Sequence, residues 1–171
     1  MLLLAIDQGT TGTTALVVEK SGKVLGRGTT EFAQHFPKPG WVEHDVREIW
    51  VSVKESVGKA LAAAKVTGKD VGGIGITNQR ETAVLWDRST LAAPRKAIVW
   101  QDRRTAGLCL QLREDGNEGR VSALTGLRLD PYFTGTKFTW LALNEPELWA
   151  SVRSGQVAIG TVDSYLIARM T

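Results

Sequence analysis

Asp7-Gln8-Gly9-Thr10-Thr11-Gly12-Thr13-Thr14 is the stretch on which the reading of the fold turns. Leu2 to Ile6 before it is a continuous apolar run, and Thr13 to Val18 after it is apolar and β-branched, so the stretch reads as a turn between two strands. Gly9 and Gly12 allow a tight turn whose backbone N–H groups can approach a phosphate, and Thr10 and Thr11 add hydroxyl donors. Asp7, at the tip of the first strand, places one carboxylate where a hydrated Mg²⁺ bridging phosphate oxygens would sit, since that ion favours one or two carboxylates with water. A Walker loop would need Gly-Lys-Ser/Thr ahead of a helix. A plain turn rich in Gly and Thr is the alternative, because turns favour such residues whatever they bind.

Working outward, Val24 to Phe32 follows the turn at Ser21-Gly22 and completes a three-stranded meander. Pro37-Lys38-Pro39-Gly40 breaks the pattern. Asp45, with Glu48 three residues on, then reads as a helix start resembling a capping box. Val46, Ile49, Trp50, Val53, Val57, Leu61 and Ala64 recur at helical spacing, one apolar stripe for a sheet, with Gly68 at or just past the end. Val71 to Ile76 predicts a short buried strand beside the meander. Further strands are expected at Thr82 to Trp86, Ile98 to Trp100 and Val157 to Ile159. Helices are expected at Arg103 to Arg113, Lys137 to Leu143 and Pro146 to Arg153, with Thr161 capping a last helix. The rest of the second half reads as mainly helical.

A second block is Gly75-Ile76-Thr77-Asn78-Gln79-Arg80-Glu81-Thr82, where a strand delivers an adjacent Arg and Glu into the loop at its C-terminal end, the place where ligands of α/β sheets gather. A small polyol offers only hydroxyls, each both donor and acceptor. The Arg80 donor and the Glu81 acceptor suit two neighbouring hydroxyls, with a weak surface ion pair as the bland alternative. Trp100 and Tyr132, both at loop junctions, are candidates for an aromatic wall that excludes water from a carbon chain, though such residues are more often core.

Composition narrows the classes. The chain has 171 residues, 43% hydrophobic and 23% charged, an ordinary globular composition for which one domain is the default. Its net charge of +3 comes from 21 basic and 18 acidic residues that are interspersed, which points to neither a nucleic-acid nor a membrane partner. The apolar start is too short for a signal or a span, which predicts a cytoplasmic protein. Cys109 is the single cysteine and, flanked by Leu108 and Leu110, reads as a structural thiol. His44 likewise reads as structural, since a lone His makes a poor metal site.

Six blocks, in order, resemble the glycerol kinases of the FGGY carbohydrate-kinase family: Asp7 to Thr11, Pro37 to Asp45, Gly75 to Thr82, Ala97 to Gln101, Asp130 to Phe133 and Gly160 to Asp163. The likeness spans the whole chain. It implies an α/β, ribonuclease-H-like fold of the actin, heat-shock-70 and sugar-kinase superfamily, truncated, with residues 1–171 as the N-terminal part of the substrate-binding domain and the nucleotide-binding domain absent. It also implies ATP and Mg²⁺ as cofactors, glycerol and ATP/ADP as partners, and a homo-oligomer at full length. Arg80, Glu81, Trp100 and Tyr132 would line the glycerol pocket. Gly9, Thr10 and Thr11 would face the phosphates, with Asp7 near the metal. The family's general base, an Asp in a later Gly-Asp-Gln motif, would lie beyond Thr171, so the chain alone is expected to be inactive. One departure stands out: family members usually carry a basic residue a few positions past the Gly-Thr-Thr turn, and the matching position here is Thr14.

Three rivals remain at this level. Another polyol or sugar kinase on the same fold would carry a different pair at Arg80-Glu81. A ribonuclease-H-like nuclease would need further carboxylates converging on Asp7 to hold two metals about 4 Å apart, and the strand at Val71 to Ile76 ends in Thr-Asn-Gln instead. A non-catalytic binding module with a kinase-derived fold is the third, and Thr14 adds slightly to its weight.

Overall fold

A computed structural model describes residues 1–171, and they divide into two compact units interleaved along the chain. The first comprises Met1–Gln34, His44–Gln79 and Val162–Thr171; the second comprises His35–Glu43 and Arg80–Thr161.

The first unit is a four-stranded sheet with a long helix on one face. β1 (Leu2–Gln8), β2 (Gly12–Glu19) and β3 (Val24–Glu31) form the expected antiparallel meander. A two-residue strand, β4 (Glu43–His44), precedes α1 (Val46–Ala64), and after it β5 (Val71–Asn78) joins β1 in parallel, giving the order β3-β2-β1-β5.

Alternation along the strands decides which residues meet the helix. Leu4, Ile6, Ala15 and Val17 are buried, and on α1 so are Val46, Ile49 and Val53 of the anticipated stripe; its Trp50, Val57, Leu61 and Ala64 are half-buried, while Ser52, Ser56 and Ala60 complete the buried face. Two glycines on β3 make this packing close: a Cβ on Gly28 would lie 2.2 Å from the Ser56 carbonyl oxygen, and one on Gly26 2.3 Å from that of Ala60. Ser52 and Ser56 on α1 tie down the start of β2 through the Thr13 hydroxyl (2.7 Å) and the Thr13 carbonyl (2.9 Å).

Asp45 caps α1 as expected, accepting a 2.8 Å bond from the Arg47 N–H. The other end closes three residues before Gly68, which was expected at or just past it. Lys65 already adopts the left-handed conformation (φ 56°) and closes the helix, while Gly68 opens a short 3₁₀ turn. β5 is also less buried than its apolar run suggested, Ile74 being 55% exposed, because it is an edge strand with glycines at 72, 73 and 75. A last helix, α6 (Val162–Met170), starts directly after Thr161 and packs along β5.

In the second unit β6 (Val84–Asp87) pairs antiparallel with β8 (Val157–Gly160), and β7 (Ala97–Ile98) meets Ala83 through one bridge. Ala83, Leu85, Ile98, Leu141 and Val157 form the core, packed by Phe138 and Trp149. Its helices are α2 (Ala106–Glu114), α3 (Glu118–Thr125), α4 (Thr134–Asn144) and α5 (Pro146–Arg153).

Arg104 anchors the loops of this unit. Its guanidinium, with the side chain fully buried, bonds Asp102 and Glu43, each at 2.8 Å, and lies 3.7 Å from the centroid of the Trp41 ring. Burying a cation is affordable only with partners of this kind. They hold Trp41-Val42-Glu43 in place, with Asp102 also accepting a 2.6 Å bond from the Val42 N–H.

Candidate functional site

In the first unit, the head of β1 turns back on itself: the Gly9 N–H donates to the Gly12 carbonyl at 2.9 Å. Gly12 is required by space, and Gly9 is tightly fitted. A Cβ on Gly12 would sit 2.8 Å from the Thr30 carbonyl oxygen, and one on Gly9 3.1 Å from that of Gly12. Beneath the turn lies a buried amide network. Gln79 donates to the Gln8 side chain (3.0 Å) and to the Gly9 carbonyl (3.2 Å), and lies 3.3 Å from His44 Nδ1. His44 is fully buried, with Phe32 edge-on at 5.0 Å, the structural role the sequence suggested. Gln8 and Gln79 are positioning residues that the sequence left unassigned. Their buried amides satisfy each other and the Gly9 carbonyl from beneath the turn.

Thr10 and Thr11 form the bend itself and are at least partly accessible, and Asp7 is exposed on the sheet face opposite α1. In register, Asp7 is flanked by Thr14 on β2 and Thr77 on β5. One carboxylate with neighbouring hydroxyls fits an ion that is mostly hydrated or bound through phosphate oxygens, and not a metal caged by protein ligands. At the far end of β5, Asn78 donates a 2.7 Å bond to Asp163 in the first turn of α6, joining two of the recognised blocks.

In the second unit, the structure brings Glu81, Tyr132 and Trp100 into one neighbourhood. Trp100 and Tyr132 meet edge to face with centroids 5.7 Å apart. Glu81 adopts a left-handed backbone (φ 66°), rare for a residue with a side chain, and its carboxylate accepts from the Thr134 N–H (2.8 Å) and hydroxyl (2.7 Å) at the first turn of α4. Strain of this kind persists where surrounding contacts over-determine it, and it concentrates at functional sites. Bound there, the carboxylate gains from the unsatisfied N–H groups of the helix end and is fixed in direction. Arg80 beside it is exposed and makes no bond within the chain; the pair does not neutralise itself.

Lys137 is the residue that sequence reasoning missed. It lies one turn into α4, where a lysine normally faces water, yet it is fully buried and donates to the Tyr132 carbonyl. Burial pushes its ammonium down from 10.5 to about 8, opposed chiefly by the negative charge of Glu81 and then by Asp102. It thus supports the Tyr132 loop and leaves a positive charge near Glu81. The signal open to a reader of sequence was only its place in Tyr132-Phe133-Thr134-Gly135-Thr136-Lys137.

Strand order, the acidic tip of β1 and the Gly-Thr turn together fit a ribonuclease-H-like domain. A family model described as the FGGY family of carbohydrate kinases, N-terminal domain, matches residues 2–171, and the chain belongs to that family. A glycerol kinase from Rhizobium rhizogenes is 53% identical over 169 residues, 99% of this chain and 34% of the relative; one from Agrobacterium fabrum is 52% identical with the same coverage. The chain therefore spans about a third of the length of the curated relatives it matches. Among solved structures, the Plasmodium falciparum glycerol kinase with ADP superposes with a TM-score of 0.90 at 32% identity over 97% of this chain and 33% of that one. A ligand-bound xylulose kinase from Lactobacillus acidophilus, at 21% identity, gives 0.86 over 98% of this chain and 33% of that one, a likeness of fold alone.

Proposed function

We propose that this chain is the N-terminal part of the substrate-binding domain of a glycerol kinase, which transfers the γ-phosphoryl group of ATP to a terminal hydroxyl of glycerol, giving sn-glycerol 3-phosphate and ADP. The observation that carries the reading is Glu81: a strained residue whose carboxylate is aimed by Thr134, beside an Arg80 that is left free for substrate. The identity to glycerol kinases over 99% of the chain favours glycerol over the other sugars of the family.

Each residue then has a role set by its chemistry. Arg80 donates to, and Glu81 accepts from, adjacent hydroxyls of glycerol, while Trp100 and Tyr132 cover its carbons and keep water from competing for the phosphoryl group. Thr10 and Thr11 present N–H and hydroxyl donors to the phosphates of ATP, and Gly9, whose own N–H is given to Gly12, lets the turn come close to them. Mg²⁺, when bound near Asp7, neutralises charge on the phosphate oxygens. The general base belongs to the part of the protein beyond Thr171, as does the adenine site. Phosphoryl transfer depends on positioning two substrates and neutralising charge between them, so neither half suffices. A cytoplasmic location and a homo-oligomeric whole protein complete the reading; no helix here is long and apolar enough to cross a membrane.

The test is a coupled assay of ADP release with the complete polypeptide over glycerol, other short polyols and xylulose. Saturable turnover with glycerol, at a kcat/KM above that for each alternative, is expected. Preference for a longer sugar would replace glycerol as substrate, and Mg-nucleotide binding without turnover on any of them would leave a binding module. The 171-residue chain alone should consume no ATP in response to glycerol.

A further inference from the structure

We propose that Arg27 is a phosphate-gripping residue of this chain, supplying from β3 the positive charge that position 14 lacks. The proposal rests on the kinase reading only for the identity of the anion, the phosphates of a nucleotide.

The direction of Arg27 is dictated by its neighbours. In Gly26-Arg27-Gly28 the two glycines face α1 so closely that a Cβ on either would overlap helix backbone. Alternation along a strand therefore sends the Arg27 side chain to the opposite face, which carries Asp7. The strand register gives the neighbours. Thr14 pairs with Asp7 on one side and Thr29 on the other, and Arg27 pairs with Leu16, two residues on from Thr14. Diagonal neighbours of this kind are roughly 7–8 Å apart, within reach of a long side chain, so the guanidinium can cover the spot above Thr14.

A concavity of about 350 Å³ on this face is lined by Asp7, Thr14, Leu16, Arg27, Gly75 and Thr77 among others, and Arg27 is its single cation. The cation opposite Thr29 and Thr30 is already used. Lys59, across on the α1 side, bonds the Thr29 carbonyl (3.1 Å) and the Thr30 hydroxyl (2.7 Å). Arg27 has no hydrogen bond or ion pair within the chain; it is exposed and free. A planar guanidinium suits phosphate oxygens by bidentate bonding, and the site pairs it with one carboxylate for the metal and two threonine hydroxyls.

The experiment titrates the 171-residue chain with MgADP and, separately, with inorganic tripolyphosphate, following binding by NMR and calorimetry. Arg27→Ala should weaken both about five- to twentyfold, as expected for an exposed charge-assisted contact, with the melting temperature unchanged. Arg27→Lys should fall between. Thr14→Arg added to Arg27→Ala should restore affinity to within about twofold, a rescue that a merely structural role for Arg27 would not give. Binding by Arg27→Ala within twofold of the parent, no rescue, or no binding of either probe by the parent chain would overturn the proposal. The outcomes separate from the reading of function: a complete polypeptide that ignores glycerol while the Arg27 effect persists defeats only that reading. Unaltered KM for ATP in an Arg27→Ala kinase that still phosphorylates glycerol defeats only this proposal.

Discussion

The turn proposed to hold phosphate in the first unit and the residues proposed to hold glycerol in the second are built by different means. The turn is shaped by backbone: Gly9 bonds Gly12 three residues away, and the strands on either side pair in continuous register. Glu81 and Tyr132 are held by side chains from distant positions, Glu81 by Thr134 across 53 residues and Tyr132 by Trp100 and Lys137. The first kind of site fails when a backbone cannot approach; the second fails when a partner is removed. Substitutions in the two units should therefore give different signatures.

The largest effect is expected where the first unit packs backbone on backbone. Gly28→Ala places a methyl group where the Ser56 carbonyl stands, so β3 or α1 must shift, at a cost of about 3 kcal/mol, read as a loss of stability in denaturant. A change below 0.5 kcal/mol would show that the helix yields freely and would blur the contrast between the units.

Next come the residues proposed to bind glycerol. Arg80→Ala and Glu81→Ala in the complete kinase should each lower kcat/KM for glycerol by about ten- to 150-fold, since bonds to charged groups contribute roughly 1.5 to 3 kcal/mol. The constant for ATP should hold. The structure splits the pair in a second respect. Arg80 is exposed and unbonded, so its loss should leave melting unchanged. Glu81 holds the start of α4, so its loss should also cost about 1 kcal/mol of stability, like the loss of a cap. Equal melting temperatures for the two variants would remove Glu81 from its anchor on Thr134.

A subtler distinction lies in pH. The folded-state pKa of Lys137 is lowered from 10.5 to about 8. Between those values the unfolded chain binds the proton that the folded chain has released, so this group's contribution to stability rises as pH climbs from about 8 to 10.5. Below pH 8 both states are protonated and the contribution is flat. Lys137→Met should abolish the rise, seen as a parent-minus-variant difference in stability that grows across that window. A difference that is constant with pH would mean that the ammonium is not desolvated by its burial.

The smallest effect tests the first unit's chemistry without disturbing its packing. Thr14→Arg in the complete kinase should lower KM for ATP or raise kcat by about two- to fivefold, because Arg27 already supplies part of the charge. A gain exceeding tenfold would say that Arg27 contributes little.

Much of this was legible in the residues alone, where local patterns dominate. The meander, the α1 stripe with Asp45 at its head, α5 from Pro146 to Arg153 and the Gly-Thr turn each follow from periodicity or from glycine and capping chemistry within a few positions. Where such a pattern is weak the reading blurred. α3 buries no residue fully and so shows no stripe, and α2 starts at Ala106 instead of Arg103 because Asp102 and Arg104 are tied to Val42 and Glu43. The family blocks singled out Asp7, Arg80, Glu81, Trp100 and Tyr132 as site candidates by kind and order. Only tertiary structure decided what those residues are bonded to: that Glu81 is strained and aimed by Thr134, that Lys137 is buried, and that Arg27 shares a face with Asp7. Strand register and burial bring together residues that are far apart in the chain, and a charge takes its strength and its pKa from whatever those contacts leave around it.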